Sequence, residues 1–280
     1  MKTILLPTDF SKISINAIEY AMVMFKDVSC EFYIINVQKS STFISDDMVV
    51  VSASATIYQT IVDAAKKSIK NLISKIKKKH NNTKHQFHSI VDYDNFIDSL
   101  NQTTKINNID LIVMGTKGAS GLEKVIFGSN TVRVMQRSNT PVLAIPEGCT
   151  YKDLNAVAFT SSFQSLYHQG DLKPLINLTK RCHSKLYVLH VSENDETTNN
   201  MNKGIDFFNE YFDDVVYEYM YATNNNVYKT IDNYIKDNNI KLLAMVGRKY
   251  SFLERFFSTH TVEKLASYIK IPFLVMHEDI

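Results

Sequence analysis

Four of the eight glycines in this chain lie within 14 residues, directly after a short apolar run. They are Gly115, Gly118, Gly121 and Gly128. Glycine lets the backbone approach a phosphate closely and adopt positive φ, so that successive amide N–H groups can point into one concavity. A helix predicted to begin near Ser129 adds unsatisfied amides and the positive end of its dipole. The pattern favours a polyphosphate as the occupant of this loop.

Asp9 is the acidic side chain that we expect to face the glycine loop. It lies in the segment 7–11, after the first predicted strand, and open parallel sheets bind ligands beyond the carboxyl ends of strands where the strand order reverses. If the first and fourth strands are neighbours, Asp9 faces the loop across that crevice. Its carboxylate is suited to accept hydrogen bonds from ribose hydroxyls, or to hold a divalent cation through water. Capping of the next helix by Asp9 is an open alternative, and Ser129 is predicted to cap the helix after the glycine loop or to bind a phosphate oxygen.

The elements that must position these residues follow from the hydrophobic pattern. Short continuous apolar runs alternate with segments of helical period, which is typical of parallel strands covered on both faces by helices. The predicted strands are 2–6, 31–37, 85–90, 109–114, 142–145, 155–159, 185–191, 214–221, 241–246 and 273–276. The predicted helices are 13–25, 56–79, 94–105, 129–138, 164–182, 201–211, 226–238 and 260–269, and 38–55 is predicted to be a loop.

The two halves of the chain repeat one another. Residues 110–115 resemble 241–247, and residues 141–145 resemble 272–276. A unit of about 140 residues is therefore duplicated, with its join near residues 148–152. The repeat predicts two α/β domains, 1–148 and 152–280.

The composition excludes several classes of protein. Hydrophobic residues make up 45% and charged residues 21%, with a net charge of +2, as in ordinary globular proteins. The lysines of 66–79 alternate with an apolar stripe and are interpreted as the solvated face of a helix. No window approaches the roughly 18 uninterrupted apolar residues of a membrane helix. Three widely spaced cysteines fit a reducing cytosol, so we expect a cytoplasmic protein with no nucleic-acid or membrane partner.

The spacing Gly115-x2-Gly118-x9-Gly128-Ser129 resembles the ATP-binding motif of the universal stress protein family. The segments 6–11 and 110–118 look like that family as well. The resemblance covers the chain as a tandem of two open-sheet domains, and it is stronger in the first. It implies, for each domain, a five-stranded parallel sheet of order 3-2-1-4-5 with helices on both faces. The expected ligand is then an adenine nucleotide, ATP with or without Mg²⁺.

The resemblance also implies roles for individual residues. Asp9 matches the acidic residue near the ribose, and Val37 matches the position whose backbone contacts adenine. The other matched positions line the adenine pocket (Pro7, Thr8), lie under the nucleotide (Met114, Gly115) or surround the phosphates (Gly118, Gly128, Ser129, Asn130). No catalytic residue is predicted, because the Gly-Lys-Ser/Thr phosphate-binding pattern is absent and no histidine or second carboxylate belongs to the site.

These residues predict an ATP-binding regulatory protein of the stress response that is not an efficient enzyme. Two alternatives stay open. One is a slow ATPase or phosphotransferase that modifies itself at Thr116, Ser120 or Ser129. The other is a tandem module that binds no nucleotide and acts only through contacts with unknown protein partners.

The second half is expected to have lost the nucleotide site. Alignment of the halves puts Ser258 where Gly128 stands and Ser161 in place of Asp9, while His190 matches Asn36. The family commonly dimerises, so the resemblance implies that the second domain pairs with the first as a built-in dimer. A further homodimer of the whole chain is left open.

Overall fold

The computed structural model describes residues 1–38, 48–116, 128–161, 167–192, 201–222, 227–247 and 270–277. The first half contains strands β1 (Lys2–Pro7), β2 (Cys30–Val37), β3 (His85–Asp92), β4 (Leu111–Gly115) and β5 (Val142–Ile145), with helices α1 (Lys12–Met24), α2 (Met48–His80), α3 (Phe96–Ile106) and α4 (Ser129–Arg137). The second half contains strands β6 (Ala156–Thr160), β7 (Lys185–Ser192), β8 (Val215–Tyr221), β9 (Leu242–Gly247) and β10 (Phe273–His277), with helices α5 (Gln169–Cys182), α6 (Met201–Tyr211) and α7 (Val227–Asp237). Each strand predicted from the apolar runs is confirmed.

The ten strands form one sheet in the order β3-β2-β1-β4-β5-β10-β9-β6-β7-β8. Each half therefore has the order 3-2-1-4-5 that the family resemblance implies, and its strands pair in parallel. Between the halves, β5 and β10 pair antiparallel, with Leu143 opposite Leu274. The last strands of the two repeats thus join two five-stranded sheets into one.

Helices cover both faces of the sheet, as predicted. In β1, Ile4 and Leu6 belong to a core that also contains side chains of α1, α2, α5 and α6. Leu5, between them, belongs to the core on the other face with side chains of α3, α4 and α7. All three residues are fully buried, which explains why the strands are continuous apolar runs. No helix in the described ranges has the length and apolar content needed to cross a membrane.

Two predictions about individual elements need comment. The predicted loop 38–55 is wrong over 48–55, because α2 already begins at Met48. That segment is rich in valine and serine, which have only modest helix propensity, so its composition did not indicate a helix. In the same helix the exposed lysines of 66–79 lie opposite buried residues such as Ile69, so the solvated face is confirmed. The predicted helix 260–269 lies outside the described residues.

Candidate functional site

The carboxyl ends of β2, β1 and β4 lie side by side at one edge of the first half of the sheet. The strand order reverses between β1 and β4, because the chain continues from β1 to β2 on one side and reaches β4 on the other. Helices α1 and α4 leave this edge toward opposite faces. The neighbour relation on which the interpretation of Asp9 depended is therefore present, and a crevice of this type is where open α/β sheets bind ligands.

The loop after β1 is held by a network of short hydrogen bonds. The Thr8 amide donates to the Ile35 carbonyl oxygen (2.8 Å), and the Phe10 amide donates to Thr8 Oγ1 (3.0 Å). Thr8 Oγ1 also lies 3.0 Å from Ser14 Oγ. Phe10 has a φ of 61°, in the left-handed region, which costs a residue with a Cβ about 1–2 kcal/mol. Strained backbone of this kind concentrates at functional sites, which supports a functional role for this loop.

Asp9 is exposed at this turn, at the end of β1. Its Oδ1 accepts a hydrogen bond from the Ser11 amide (3.0 Å). The residue that caps α1 is Ser11, whose Oγ accepts from the Ser14 amide (3.2 Å). The alternative that Asp9 caps this helix is therefore wrong. A carboxylate on the solvent side of the crevice is well placed to meet a polar ligand.

The end of β2 presents main-chain groups to the same crevice. In a strand of a parallel sheet the main-chain N–H and C=O groups of successive residues point to opposite neighbouring strands, so those of residues i and i+2 point to the same strand. The Ile35 carbonyl oxygen accepts from Thr8, so the main-chain groups of Val37 point to the same side, beyond the end of β1 at Pro7. Between them, the buried side chain of Asn36 donates from Nδ2 to the Thr8 carbonyl oxygen (2.7 Å). Sequence analysis missed this anchor, although a polar residue inside an apolar strand was a usable signal.

The end of β4 supplies a tightly packed floor. Met114 is 5% exposed and belongs to the core beneath the sheet. At Gly115 an added Cβ would lie 2.7 Å from Ile13 Cγ2 and 3.0 Å from the Ile13 carbonyl oxygen. Thr131 Oγ1 donates to the Gly115 carbonyl oxygen (3.0 Å) and ties α4 to the strand. Glycine at this position therefore allows α1 to pack closely against β4. The sequence alone did not indicate this role.

Helix α4 starts at this floor with an N-terminus that has no side-chain cap. The N-cap residue is Gly128, and no side chain in the described ranges accepts a hydrogen bond from the first turn. The prediction that Ser129 caps α4 is wrong, because the first helical bond runs from the Val132 amide to the Gly128 carbonyl oxygen (3.1 Å). Ser129 and Asn130 are exposed. Their amides have no acceptor within the helix, and the helix dipole favours an anion beside them.

The start of α4 is tied directly to the end of β4. The Gly128 amide donates to the Thr116 carbonyl oxygen across 2.5 Å, and the Thr116 amide donates to the Ile145 carbonyl oxygen (3.1 Å). Nine of the ten predicted site residues therefore lie at or beside the carboxyl ends of β2, β1 and β4. Gly118 falls outside the described residues. Within the described ranges no group of three His, Cys, Asp or Glu side chains could hold a metal ion.

A sequence profile of the universal stress protein family matches residues 1–146. The chain belongs to the universal stress protein family. One relative, universal stress protein MJ0531 of Methanocaldococcus jannaschii, is 28% identical over 144 residues, which cover 51% of this chain and 81% of that protein.

Solved structures share the fold over the whole length of this universal stress protein. One is a universal stress protein from Archaeoglobus fulgidus DSM 4304, with a TM-score of 0.67, 20% identity, and coverage of 99% of this chain and 96% of the other. Another is a protein of unknown function, PA1789, from Pseudomonas aeruginosa PAO1, with a TM-score of 0.64, 11% identity, and coverage of 100% and 93%. These likenesses concern the tandem fold.

The second half of this universal stress protein carries the same loop anchor at the end of its first strand. The Ser161 amide donates to the Leu189 carbonyl oxygen (2.9 Å), as Thr8 does to Ile35, and His190 Nδ1 bonds the Ser161 carbonyl oxygen (3.0 Å). His190 therefore matches Asn36, as predicted. Ser161 occupies the place of Thr8, so its alignment with Asp9 is wrong by one residue.

The hydrogen-bonded ladder fixes the register, and in this register Phe10 aligns with Phe163, a shared residue that the sequence alignment did not use. The residue in the place of Asp9 is Ser162, which lies outside the described residues. Ser258 and the rest of 248–269 lie outside them too. The loss of the nucleotide site in this half therefore stays a prediction.

Proposed function

We propose that this universal stress protein is an ATP-binding regulatory protein of the stress response, with the nucleotide held in its first half. The observation that carries the proposal is the N-terminus of α4, which has no side-chain cap among the described residues and is bonded through Gly128 to Thr116 at the end of β4. Beside it, across the strand-order reversal, lies the exposed carboxylate of Asp9. Amide donors for phosphates and an acid for hydroxyl groups are the complementary parts of a nucleotide site.

The donors and acceptors at this edge fit an adenine nucleotide. The amides of Ser129 and Asn130 would bind phosphate oxygens, and the Asp9 carboxylate would accept hydrogen bonds from the ribose hydroxyls. Main-chain groups of Val37, which face the crevice past Pro7, would contact adenine. Mg²⁺ would be held mainly by the phosphates and water, as is usual for this ion.

We infer that the second half, 152–280, serves as a built-in partner of the first, 1–148. The antiparallel pairing of β5 with β10 supports this inference, because the two repeats pair through their edge strands as two subunits of a dimer do. A contact outside the ladder adds to it: His277 Nε2 lies 2.7 Å from the Met135 carbonyl oxygen.

A regulatory role is favoured over phosphoryl transfer by the accessibility of the candidate acceptors. Thr116 is 1% exposed, so its hydroxyl is not open to a phosphate donor. Ser129 is exposed but lies at the start of α4, where the phosphates themselves are expected, and Ser120 lies outside the described residues. We infer a cytoplasmic location, because three widely spaced cysteines that form no disulfide with one another fit a reducing compartment.

The proposal is tested on the full chain in two steps. Nucleotide that copurifies with the protein is released by heat and identified by chromatography, and ATP with Mg²⁺ is then titrated calorimetrically. We expect bound adenine nucleotide and a saturable heat of binding. Asp9→Asn should weaken ATP binding by roughly 10-fold, because it replaces charge-assisted hydrogen bonds to the ribose with neutral ones.

Asp27→Asn is the matched control, since Asp27 is exposed at the opposite edge of the sheet, between α1 and β2. It should bind ATP like the wild type. No copurified nucleotide and no heat of binding would favour the module that acts through protein contacts alone. ADP formation at ordinary enzyme rates, about 1–1,000 per second, would replace the regulatory proposal with an enzymatic one.

A further inference from the structure

A cavity of about 410 Å³ lies where the two halves meet, apart from the crevice described above. Tyr20 of α1, the connection 147–154, the segment 235–241 from α7 into β9 and the residues just before β10 line it. The antiparallel β5–β10 pair creates this place, because it puts the carboxyl end of β5 beside the amino end of β10. The volume falls within the range of roughly 300–1,000 Å³ that is usual for small-molecule sites.

Positive charge is in excess around the cavity. Its lining contains Lys152, Lys236, Lys241 and Lys270 but only one acidic residue, Glu147. Lys236 is paired with Asp232 of its own helix, and Lys241 donates a hydrogen bond to Asn239. Because a hydrogen bond to a neutral amide leaves the charge of Lys241 in place, three lysines of the lining remain against one carboxylate. A concave surface of this charge raises the local concentration of anions.

Tyr20 lines the same cavity and carries a buried hydroxyl without an acceptor among the described residues. Tyr20 is 3% exposed, and its hydroxyl has no hydrogen-bond partner in the part of the chain that the structure describes. Burial raises the pKa of Tyr20, and the neighbouring Cys149 and Tyr151 raise it further, so the phenol keeps its proton. A buried O–H without an acceptor costs free energy, which an anionic oxygen in the cavity would recover.

The turn 146–149, which forms one wall of the cavity, is held in place by hydrogen bonds. Asn16 of α1 donates from Nδ2 to the carbonyl oxygens of Pro146 (3.3 Å) and Cys149 (3.1 Å). The intervening turn is closed by a bond from the Cys149 amide to the Pro146 carbonyl oxygen (3.1 Å), with Gly148 at a φ of 70°. A site whose walls are held in this way needs little reorganisation to bind.

One side of the cavity is apolar. Leu154, Ile235 and Ile240 are each at least 95% buried and contribute to its lining. These side chains expose only a small area to the cavity, on which the carbon skeleton of an organic ligand would make an apolar contact that a free inorganic ion would not make.

We propose that this cavity binds a small organic phosphate, with the phosphate group at the lysines and the Tyr20 hydroxyl and the carbon skeleton on the apolar side. The site is separate from the proposed ATP site and does not depend on it. It uses residues of both repeats, so a ligand there would bridge the two halves of the chain.

Lysine protection tests the phosphate-binding part directly. The full chain is acylated with an amine-selective reagent at increasing pyrophosphate and constant ionic strength, and modification of Lys241 and Lys270 is followed by mass spectrometry. We expect pyrophosphate to protect both lysines in a saturable manner. Tyr20→Phe should raise the half-protecting concentration about 10-fold, because it removes a donor to the anion but no bond within the protein. Lys152→Gln should raise it several-fold by removing a charge.

Lys105→Gln is the control for general screening of charge, since Lys105 is exposed in the last turn of α3, outside the cavity. It and Asp9→Asn should leave the protection of Lys241 and Lys270 unchanged. Equal acylation with and without pyrophosphate overturns the proposal. So does a half-protecting concentration that is the same for the wild type and either cavity variant.

Discussion

The buried side chain of Asn36 donates a hydrogen bond to the Thr8 carbonyl oxygen across 2.7 Å, from the second strand of the sheet to the loop that follows the first. In the second half His190 Nδ1 makes the corresponding bond to Ser161 across 3.0 Å. An amide and an imidazole thus donate equivalent hydrogen bonds, because Nδ2 of asparagine and Nδ1 of histidine are both two bonds from Cβ. Each half therefore fixes its first loop from the neighbouring strand, whatever ligand that loop meets.

His190→Asn is expected to keep this bond and to leave the free energy of unfolding within about 0.5 kcal/mol of the wild type. His190→Leu has no donor, so the carbonyl oxygen of Ser161, a residue only 6% exposed, loses this partner. We expect a loss of roughly 1–3 kcal/mol. Urea unfolding followed by circular dichroism measures both, and equal stability of the two variants would show that the bond does not anchor the loop.

The strands were predictable because burial on both faces makes each one a continuous apolar run between polar segments. The strand order was not derivable from those runs, and it came from the family resemblance carried by the glycine spacing and the segment around Asp9. The antiparallel pairing of β5 with β10 left no sequence signal. When helices cover both faces of a sheet, a central strand and an edge strand have the same continuous apolar sequence pattern.

Details of the site depended on backbone geometry that residue types do not encode. Serine is a favoured N-cap residue. In α4, however, the Gly128 carbonyl oxygen accepts the first helical hydrogen bond, so Gly128 is the N-cap and Ser129 is the first residue of the helix. Glycine at 115 was interpreted only as a neighbour of the ligand, whereas Ile13 is the group that its missing Cβ avoids. The junction cavity combines residues more than 200 positions apart in sequence, such as Tyr20 and Lys241. Only the folded chain brings such residues together.

Gly115→Ala should destabilise the first half, because its Cβ would lie 2.7 Å from Ile13 Cγ2 and 3.0 Å from the Ile13 carbonyl oxygen. Overpacking of this kind typically costs about 1–3 kcal/mol of unfolding free energy. Thermal and urea unfolding measure the loss.

A double-mutant cycle with Ile13→Ala isolates the contact. Removing Cγ2 relieves part of the clash, so the two substitutions together should cost less than the sum of their separate effects by about 1 kcal/mol. The stability lost in Gly115→Ala should be recovered only in part, because the Ile13 carbonyl oxygen stays close to the new Cβ. Strict additivity would mean that α1 and β4 do not compete for this space.

Glu19 should give the protein an acid-sensitive contribution to stability. Partial burial raises the pKa of Glu19, but hydrogen bonds and charges from Lys79 and His80 outweigh that effect and hold it below its ordinary value of 4.5. The carboxylate lies 2.9 Å from Lys79 Nζ and 2.7 Å from His80 Nε2, and so ties α1 to the end of α2. A depressed pKa means that this stabilisation is present above the unfolded-state pKa and is lost as the pH falls through the folded-state value.

Glu19→Gln should therefore be less stable than the wild type at neutral pH, and the difference should shrink as the pH falls below 4.5, the ordinary value for this carboxyl. Urea unfolding over a pH series measures it. Asp27→Asn removes an exposed carboxylate with no ion pair among the described residues and should show a much smaller pH-dependent difference. A difference for Glu19→Gln that stays constant with pH would exclude the linkage.

Gly128→Asp should separate the stability of α4 from its proposed ligand binding. Gly128 has a φ of −64° and a ψ of 154°, a conformation that any residue adopts, so aspartate can replace it without backbone strain. Its carboxylate would cap the first-turn amides and favour the helix dipole, raising the free energy of unfolding by about 0.5–1 kcal/mol. The same carboxylate would occupy the amides and repel phosphates, so the affinity for ATP should fall by roughly 10-fold or more.

Gly128→Asn separates the two causes, because asparagine caps a helix about as well as aspartate but carries no charge. Its affinity for ATP should lie between those of the wild type and Gly128→Asp. Thermal unfolding and calorimetric titration of the three proteins give both quantities on the same samples. If Gly128→Asp gains stability and still binds ATP as the wild type does, the phosphates do not lie at the start of α4.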